Sequence, residues 1–286
     1  MKTERRRVVI QGFRGSYHEI AASKYFGSNI EIIPTLAFDE MFRMLERDNT
    51  LSCVFAIENT VSGSILSNYT MLKQAGLFVT GECSLRISLN LLAFPGQSIG
   101  DVLEVRSHPL ALVQCRDFFD SHPGIRLIES ADTALSAKEI SESRLMGAGV
   151  IASRLAAKLY GLEVIEEEIA SDIRNFTRFL IIEPAGRHTD RKAGGEMLIN
   201  KASVVFSLPH RKGSLVELLS VFADRDCNLT TLQSTPIVGS EWEYLFYADM
   251  VFSSYEQYMH ALEEAGKLCH ELTIIGEYRE GNIYEE

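Results

Sequence analysis

The chain has 286 residues, 46% of them hydrophobic and 23% charged, with a formal net charge of −11. That length holds one large or two ordinary domains with ample core, and the acidic balance argues against nucleic acid as the main partner, because phosphate binding needs a basic footprint. No run approaches the ~18 apolar residues of a membrane span, the one behind the basic N-terminus is too short for a signal peptide, and the five scattered cysteines form no CxxC pair. Reduced thiols in a cytoplasmic protein are therefore expected, with neither disulfides nor a zinc site.

Short apolar runs and helical patterns then alternate, as in open α/β folds. "RVVIQG" (7–12) reads as a strand before the helix "SYHEIAASKYF" (16–26), and "CVFAIEN" (53–59) as a strand before the helix "SILSNYTMLKQA" (64–75). "VLEVRSH" (102–108) runs into "PLALVQCRDFFDSH" (109–122), "IRLIESA" (125–131) into "DTALSAKEISES" (132–143), and "GAGVIAS" (147–153) into "RLAAKLYG" (154–161). Residues 184–200 carry proline, glycine and alternating charge without apolar period, and read as a linker. Beyond it come the strand "KASVVFSLP", the helix "GSLVELLSVFADRD" with Leu215, Leu218, Leu219 and Phe222 on one face, the strands "NLTTLQST" and "EYLFYADMVFS", the helix "YEQYMHALEEAGKLC" and the strand "LTIIGEYR". That order is βαββαβ, the ferredoxin-like arrangement.

In open α/β sheets, ligands sit outside the carboxyl ends of strands, where helix N-termini offer N–H donors. Four stretches place polar groups there. In "QGFRGSYHEIAA", Gly12 and Gly15 allow a tight turn and Ser16 with Glu19 fits a capping box; a well-capped helix accounts for this as well as a site does. In "AIENTVSGSI", Glu58 and Asn59 end a strand ahead of Thr60, Ser62, Gly63 and Ser64. Turn chemistry explains Asn, Ser and Gly, but not why so many hydroxyls converge before one helix. In "RSHPLALVQC", Ser107 can cap a helix with Pro109 in its first turn, and Gln114 lies two turns along the same face. His108 alone reads as structural. In "IRNFTRFLII" a polar, cationic entry leads into a buried strand. Thr177 and Arg178 point to opposite faces of a regular strand; both serve one site only if the strand is just starting there, and otherwise Arg178 braces the rim from behind or pairs with an acid. Together these stretches describe a cleft rich in hydroxyls, amides and helix N-termini, suited to a small polyanionic acid that is held and polarised. There is no metal-ligand spacing, phosphate loop or Gly-x-Ser-x-Gly elbow, so neither metal nor cofactor is expected.

The stretches "IENTVSGSI", "SHPLALVQC", "ASRLAAKLYGLEVI" and "NFTRFLII", in this order, resemble the prephenate dehydratase family, and "SLPHRKGSLVELLSVF" through "NLTTLQSTP" resembles the ACT regulatory domain attached to that enzyme. The resemblance covers about residues 8–280 and, with no helical mutase domain before residue 8, is to the monofunctional form. It implies a catalytic unit at 1–183 with two lobes like those of type II periplasmic binding proteins, a linker at 184–200 and an ACT domain at 201–280. One lobe would take about 8–80 plus 168–183 and the other 81–167, which makes "NFTRFLII" the return to the first lobe.

The implied reaction converts prephenate to phenylpyruvate, carbon dioxide and water, a step towards phenylalanine. Thr177 would donate a hydrogen bond to the ring hydroxyl, with Glu58 the alternative as a protonated acid if burial raises its pKa. Asn59, Ser107 and Gln114 would orient substrate, while Ser16, Ser64 and Arg178 would hold its carboxylates. The ACT motifs usually written GALV and ESRP stand here as "GSLV" (Gly213, Ser214, Leu215, Val216) and "QSTP" (opening with Gln233 and Ser234), implying L-phenylalanine as effector. ACT pairing implies a homodimer or homotetramer. Two motifs depart from the family: "GFRGSYHE" stands for Gly-Pro-x-Gly-Thr-Phe-Ser, and Leu110 for the glutamine usual after Ser-His-Pro. Arogenate dehydratase shares the scaffold, and a non-enzymatic aromatic-acid sensor is the remaining alternative.

Overall fold

Strand order repeats itself between the two sheets of the N-terminal part. The computed structural model describes residues 5–74, 77–184, 199–237, 239 and 243–286. In the first sheet, β1 (Arg6–Gln11), β2 (Ile30–Thr35), β3 (Ser52–Asn59), β5 (Leu77–Arg86) and β11 (Phe176–Pro184) lie in the order β2-β1-β3-β11-β5, with the short β4 (Gly63–Ser64) beside β3. In the second, β6 (Asn90–Ala93), β7 (Glu104–Ser107), β8 (Arg126–Glu129), β9 (Ala148–Ala152) and β10 (Glu163–Glu166) lie in the order β8-β7-β9-β6-β10. β11 and β6 each run antiparallel to both neighbours, and each is the strand that has just crossed from the other sheet. Two crossings join two lobes, the type II periplasmic-binding-protein-like architecture, and the cleft falls between them. β3 and β9 are buried along most or all of their length, which is why both read as continuous apolar runs.

Helices α1 (Tyr17–Phe26), α2 (Phe38–Arg47) and α3 (Leu66–Gln74) belong to the first lobe, and α4 (Pro109–Gln114), α5 (Arg116–Asp120), α6 (Thr133–Ser143) and α7 (Arg154–Tyr160) to the second. Six elements, β2, α2, β4, β5, β6 and β10, were not read from the pattern, although Phe38, Met41, Phe42 and Leu45 of α2 stand at helical spacing. β2 holds Pro34 and pairs only with β1, so it is an edge strand that tolerates a missing donor. The expected lobe break at 80/81 falls inside β5, which stays in the first sheet as far as Arg86. The helix expected from Ser64 begins instead at Leu66, because Gly63 and Ser64 pair with Asn59 and Glu58.

The C-terminal part contains β12 (Lys201–Ser207), α8 (Ser214–Asp224), β13 (Asn228–Pro236), β14 (Tyr244–Val251), α9 (Tyr255–Gly266) and β15 (Glu271–Tyr278). Its antiparallel sheet, ordered β13-β14-β12-β15, is the ferredoxin-like βαββαβ fold. Residues of α8 and α9 share a core with one face of it, through Val204, Phe206, Leu218, Phe222, Met250 and Tyr258. The other face, with Val205, Tyr247, Ile275 and Tyr278, packs in one cluster with Met41, Phe42, Tyr69 and Leu72 of the first lobe. β15 also joins β5 in parallel, at Gly276 opposite Val79, so the two sheets are continuous. A tail strand, β16 (Ile283–Tyr284), then pairs with β5 at Ser84 and Leu85. Apart from Pro184, Ile199 and Asn200, the expected linker at 184–200 lies outside the described residues.

Candidate active site

A bulge decides which side chains reach the cleft. On β11, Thr177 lies opposite Asn59 and Arg178 opposite Glu58, but Phe179 lies opposite Ala56, so β3 carries one extra residue. Bulges re-aim side chains, and here Asn59 and Ala56, three apart, face the cleft together with Thr177 and Phe179. Arg178 and Glu58 share the opposite face.

The cleft encloses a cavity of about 690 Å³. Five of the expected site residues line it: Ser16, Asn59, Ser64, Gln114 and Thr177. Asn59 is the hub. Its Oδ1 accepts from the backbone N–H groups of Val61 and Ser62, at 3.0 and 2.8 Å. That fixes the amide orientation, and Nδ2 donates to Thr177 Oγ1 at 3.0 Å and to Asn175 Oδ1 at 2.7 Å. Asn175 Nδ2 donates to Gln114 Oε1 at 3.0 Å, and Gln114 Nε2 donates to Ser62 Oγ at 3.1 Å. This chain of amides crosses from the first lobe to α4 of the second. Because Thr177 Oγ1 already accepts a hydrogen bond, its own proton is left to donate into the cavity.

Ser16 caps α1, accepting from Glu19 N–H, while the Glu19 carboxylate accepts from Gly15 N–H at 2.7 Å rather than from the cap itself. The second lobe grips this loop. Ser153 Oγ donates to Gly15 O at 2.6 Å, and Tyr160 Oη donates to Arg14 O at 2.7 Å. A Cβ on Gly15, whose φ is +90°, would meet Ala156 Cα at 3.0 Å, so a glycine fits both the turn and the close approach.

Three expectations are corrected. Arg178 does not face the cleft: its guanidinium bonds Glu82 and Asp249, each at 2.6 Å, with Thr231 and Tyr278 beside them. Of the two positions left open, it braces the rim from behind, because alternation puts it on the face that the C-terminal sheet covers. Glu58 follows it to that face, 3.9 Å from Arg178, and its side chain is 38% exposed, so the burial its acid role required is lacking. Ser107 is fully buried at the end of β7, where Oγ donates to Ile151 O at 2.7 Å across to β9. His108 caps α4 instead, accepting from Leu110 N–H on Nδ1, and lines the cavity.

Sequence reasoning missed His18, Phe38, Asp132 and Phe179 in the cavity wall. Phe179 could have been found, since it lies two residues from Thr177 on the same strand face. His18 stands against Phe179, ring centroids 5.0 Å apart in an edge contact, and its Nε2 is buried without a hydrogen-bond partner. Burial drives its pKa down to about 4, so the imidazole is neutral at pH 7. Asp132 caps α6, and burial raises its carboxyl pKa. Among the described residues no lysine or arginine lines the cavity, so any anion bound there meets hydroxyls, amides and the N-termini of α1 and α6.

The expected effector residues divide. A second cavity, about 400 Å³, is lined by Leu208–Lys212, Ser214, Leu215, Tyr244 and Phe246. Gly213, with φ +89°, caps α8 beside it, and Val216 is 67% exposed. Gln233 is not in that wall: its Nε2 donates to Ser64 Oγ at 2.9 Å, on the face of β4 that Ser64 shares with its pairing partner Glu58. Ser234, next along β13, is exposed.

Comparison with known proteins places the chain. The family model for prephenate dehydratase matches residues 8–187. Arogenate dehydratase/prephenate dehydratase 2, chloroplastic, of Arabidopsis thaliana is 37% identical over 95% of this chain and 72% of its own length. A crystal structure of a prephenate dehydratase from Arthrobacter aurescens in complex with L-Phe superposes with a TM-score of 0.80 at 24% identity, covering 95% of this chain and 89% of that one. A structure described as the quorum-quenching acylase GqqA gives 0.83 at 25% identity, covering 96% and 98%. The cytoplasmic expectation is corrected by the plant relatives, since arogenate dehydratase/prephenate dehydratases 1, 2 and 6 of Arabidopsis thaliana are all chloroplastic; free thiols suit any reducing compartment and do not single out the cytosol. The match of the family model to most of the N-terminal part, and that of the plant relative to nearly the whole chain, establish that this chain belongs to the prephenate dehydratase family.

Proposed function

We propose that the chain converts prephenate to phenylpyruvate, with loss of carbon dioxide and of the ring hydroxyl. The observation that carries this reading is the Asn59–Thr177 pair, whose geometry leaves the threonine proton free to donate into the cavity. As the ring carboxylate leaves as carbon dioxide, its bonding electrons enter the ring and the C–O bond breaks. The departing hydroxide takes up a proton from solvent to become water. A threonine hydroxyl is too weak an acid to be a free proton source, so Thr177 stabilises the charge growing on the leaving oxygen by hydrogen bonding. Ser16, with the N-terminus of α1, holds a substrate carboxylate, and the Asn59–Asn175–Gln114 chain keeps the lobes in register around the substrate.

A second reading, arogenate as substrate, has its support in the double name of the plant relative. The ring chemistry is the same, and the keto group is replaced by an ammonium. Asp132, the one carboxylate among the described cavity residues, is the natural partner for that charge.

The C-terminal domain is assigned as an ACT domain with L-phenylalanine in the 400 Å³ cavity, where Ser214 and Leu215 stand beside basic Arg211 and Lys212. Exposed Val216 and the edge strand β13 offer the surface for pairing into a homodimer or homotetramer. The test is to incubate the protein with prephenate and with arogenate, each with and without phenylalanine, and to quantify phenylpyruvate and phenylalanine. Phenylpyruvate from prephenate, suppressed by phenylalanine, is expected. Thr177→Ala should lower kcat about 10²-fold with little change in KM, as loss of a transition-state interaction does. No turnover of either acid would sink the dehydratase reading.

A further inference from the structure

Residues 279–286 run along the hinge between the lobes. Beyond β15 the chain turns back on the first lobe: Glu280 N–H donates to Asn200 Oδ1 at 2.7 Å, Gly281 N–H to Glu82 Oε1 at 3.1 Å, and Ser84 N–H to Asn282 O at 3.0 Å. β16 then pairs with β5 at Ser84 and Leu85, where β5 is about to cross to the second sheet. Tyr284 packs against the core cluster that holds Leu85, Ile87 and Leu89 of that crossing. Arg86 ties both crossings to the tail. Its guanidinium bonds Glu168 at 2.6 Å and Ile173 O at 3.2 Å, both on the return crossing, and stands 3.5 Å from Glu285.

The tail reaches the second lobe at Glu286. Its carboxylate accepts from Arg154 N–H at 2.6 Å and from Leu155 N–H, the first two residues of α7. Those N–H groups have no partner within the helix, and its N-terminus favours a negative charge. The N-cap of α7, Ser153, is the residue that grips the first lobe: its Oγ donates to Gly15 O at 2.6 Å while accepting from Ala156 N–H at 2.9 Å. Tyr160, at the other end of α7, donates to Arg14 O at 2.7 Å. One helix is therefore held by the tail at its N-terminus and by the 13–16 loop along its flank. Ala156 lies directly under Gly15, with no room for a Cβ between them, so a shift of α7 is passed to the loop. The next residue, Ser16, caps α1 and lines the cleft cavity.

We propose that Glu286 is a positioning residue for the cleft: by holding the N-terminus of α7 it seats that helix against the 13–16 loop, and so fixes Ser16 and the N-terminus of α1 where a substrate carboxylate binds. The proposal rests on the dehydratase reading above. With the carboxylate removed, the Arg154 and Leu155 N–H groups bond water, and α7 loses its tie to the tail that β5 anchors in the first lobe. The second lobe then moves more freely about the hinge, and the loop that α7 clamps moves with it. The tail grows out of β15, so the same eight residues also give the C-terminal domain a route to the second lobe.

The test compares the full chain with Glu286→Ala, Glu286→Gln and Gly281→Ala. Hydrogen exchange is followed at single amides, kcat and KM are measured for whichever acid the wild type turns over, and circular dichroism checks folding. Glu286→Ala should speed exchange about 10-fold at Arg154 and Leu155, and also at Gly15 and Ser16, whose N–H groups donate to Glu19 Oε2 and Phe13 O. A hydrogen bond to a charged group is weakened, so KM should rise about 5-fold with kcat within about two-fold. Glu286→Gln keeps an acceptor oxygen for Arg154 and should hold KM within about two-fold of wild type. Gly281→Ala lifts the tail at its root and should reproduce the KM of Glu286→Ala with Glu286 still present. Faster exchange at Arg154 and Leu155, with Gly15, Ser16 and KM at their wild-type values, overturns the proposal, because Glu286 is then a local helix cap. Unchanged exchange at Arg154 and Leu155 overturns it too, because the carboxylate is then not holding them. Those outcomes leave the dehydratase reading standing. A wild type inactive on both acids removes that reading, and the Gly15 and Ser16 amides then decide by themselves whether the tail holds the loop.

Discussion

Thr177 and Arg178 are neighbours with opposite duties, and at the scale of single residues the cleft is built from such divisions. Asn59 accepts on one side of its amide and donates on the other, which leaves one threonine proton unclaimed. His18 is neutral because burial favours the uncharged ring, and this ties stability to pH. Its pKa is about 4 in the native state, against an unfolded value of about 6.5. Between those values the unfolded chain holds a proton that the native chain lacks, so stability rises with pH through that window and is lost as pH falls. Urea unfolding at pH 7 and pH 5 should show the wild type losing about 1–2 kcal/mol more than His18→Asn on acidification. Equal losses in the two proteins would mean that His18 does not stay unprotonated in the folded state.

At the scale of elements, the strands and the tail that edges them set the geometry. The bulge on β3 brings Ala56 and Asn59 to one face, so the polar start of β11 and its apolar continuation both serve the cleft. The tail works by close approach. A Cβ on Gly281 would fall 2.2 Å from Glu82 O, a backbone atom that cannot move aside. Beyond it Ser84 N–H donates to Asn282 O at 3.0 Å, and the Glu286 carboxylate accepts from Arg154 N–H at the start of α7 at 2.6 Å. Gly281→Ala should peel this tail from β5, costing about 1–3 kcal/mol and exposing the Ser84 amide. Hydrogen exchange reads it directly: protection of Ser84 unchanged from wild type would show that the tail absorbs the methyl group elsewhere.

At the scale of the whole molecule, two folds behave as one body because a sheet, an apolar face and an ion network join them. The apolar cluster runs from Met41 and Leu72 of the first lobe to Val205 and Tyr278 of the C-terminal domain. The ion network adds specificity of docking, since a buried charge left without its partner is costly. Asp249→Ala leaves Arg178 and Lys201 to share the single carboxylate of Glu82, one buried positive charge uncompensated, and should cost about 3–5 kcal/mol. Calorimetry should then show one transition for the wild type and two for the variant, as the C-terminal domain uncouples. A single transition at the wild-type temperature would mean that apolar packing alone holds the joint.

The sequence by itself determined five strand-to-helix junctions of the N-terminal part, the βαββαβ order at the C-terminus and a cleft of hydroxyls and amides around Asn59, Gln114 and Thr177. Those features follow from period-two and helical spacing, turn chemistry and motif, all read over a few neighbouring residues. It misplaced Arg178, Glu58, Ser107 and Gln233, and missed His18, for one physical reason. Which face a side chain serves depends on the bulge between β3 and β11, on the pairing of β7 with β9, and on the sheet that packs behind the first lobe. These are contacts between segments far apart in the chain. Only the tertiary structure decided that Arg178 stands behind the strand rather than in the cleft, and that a glutamine from the C-terminal domain meets Ser64 of the first lobe.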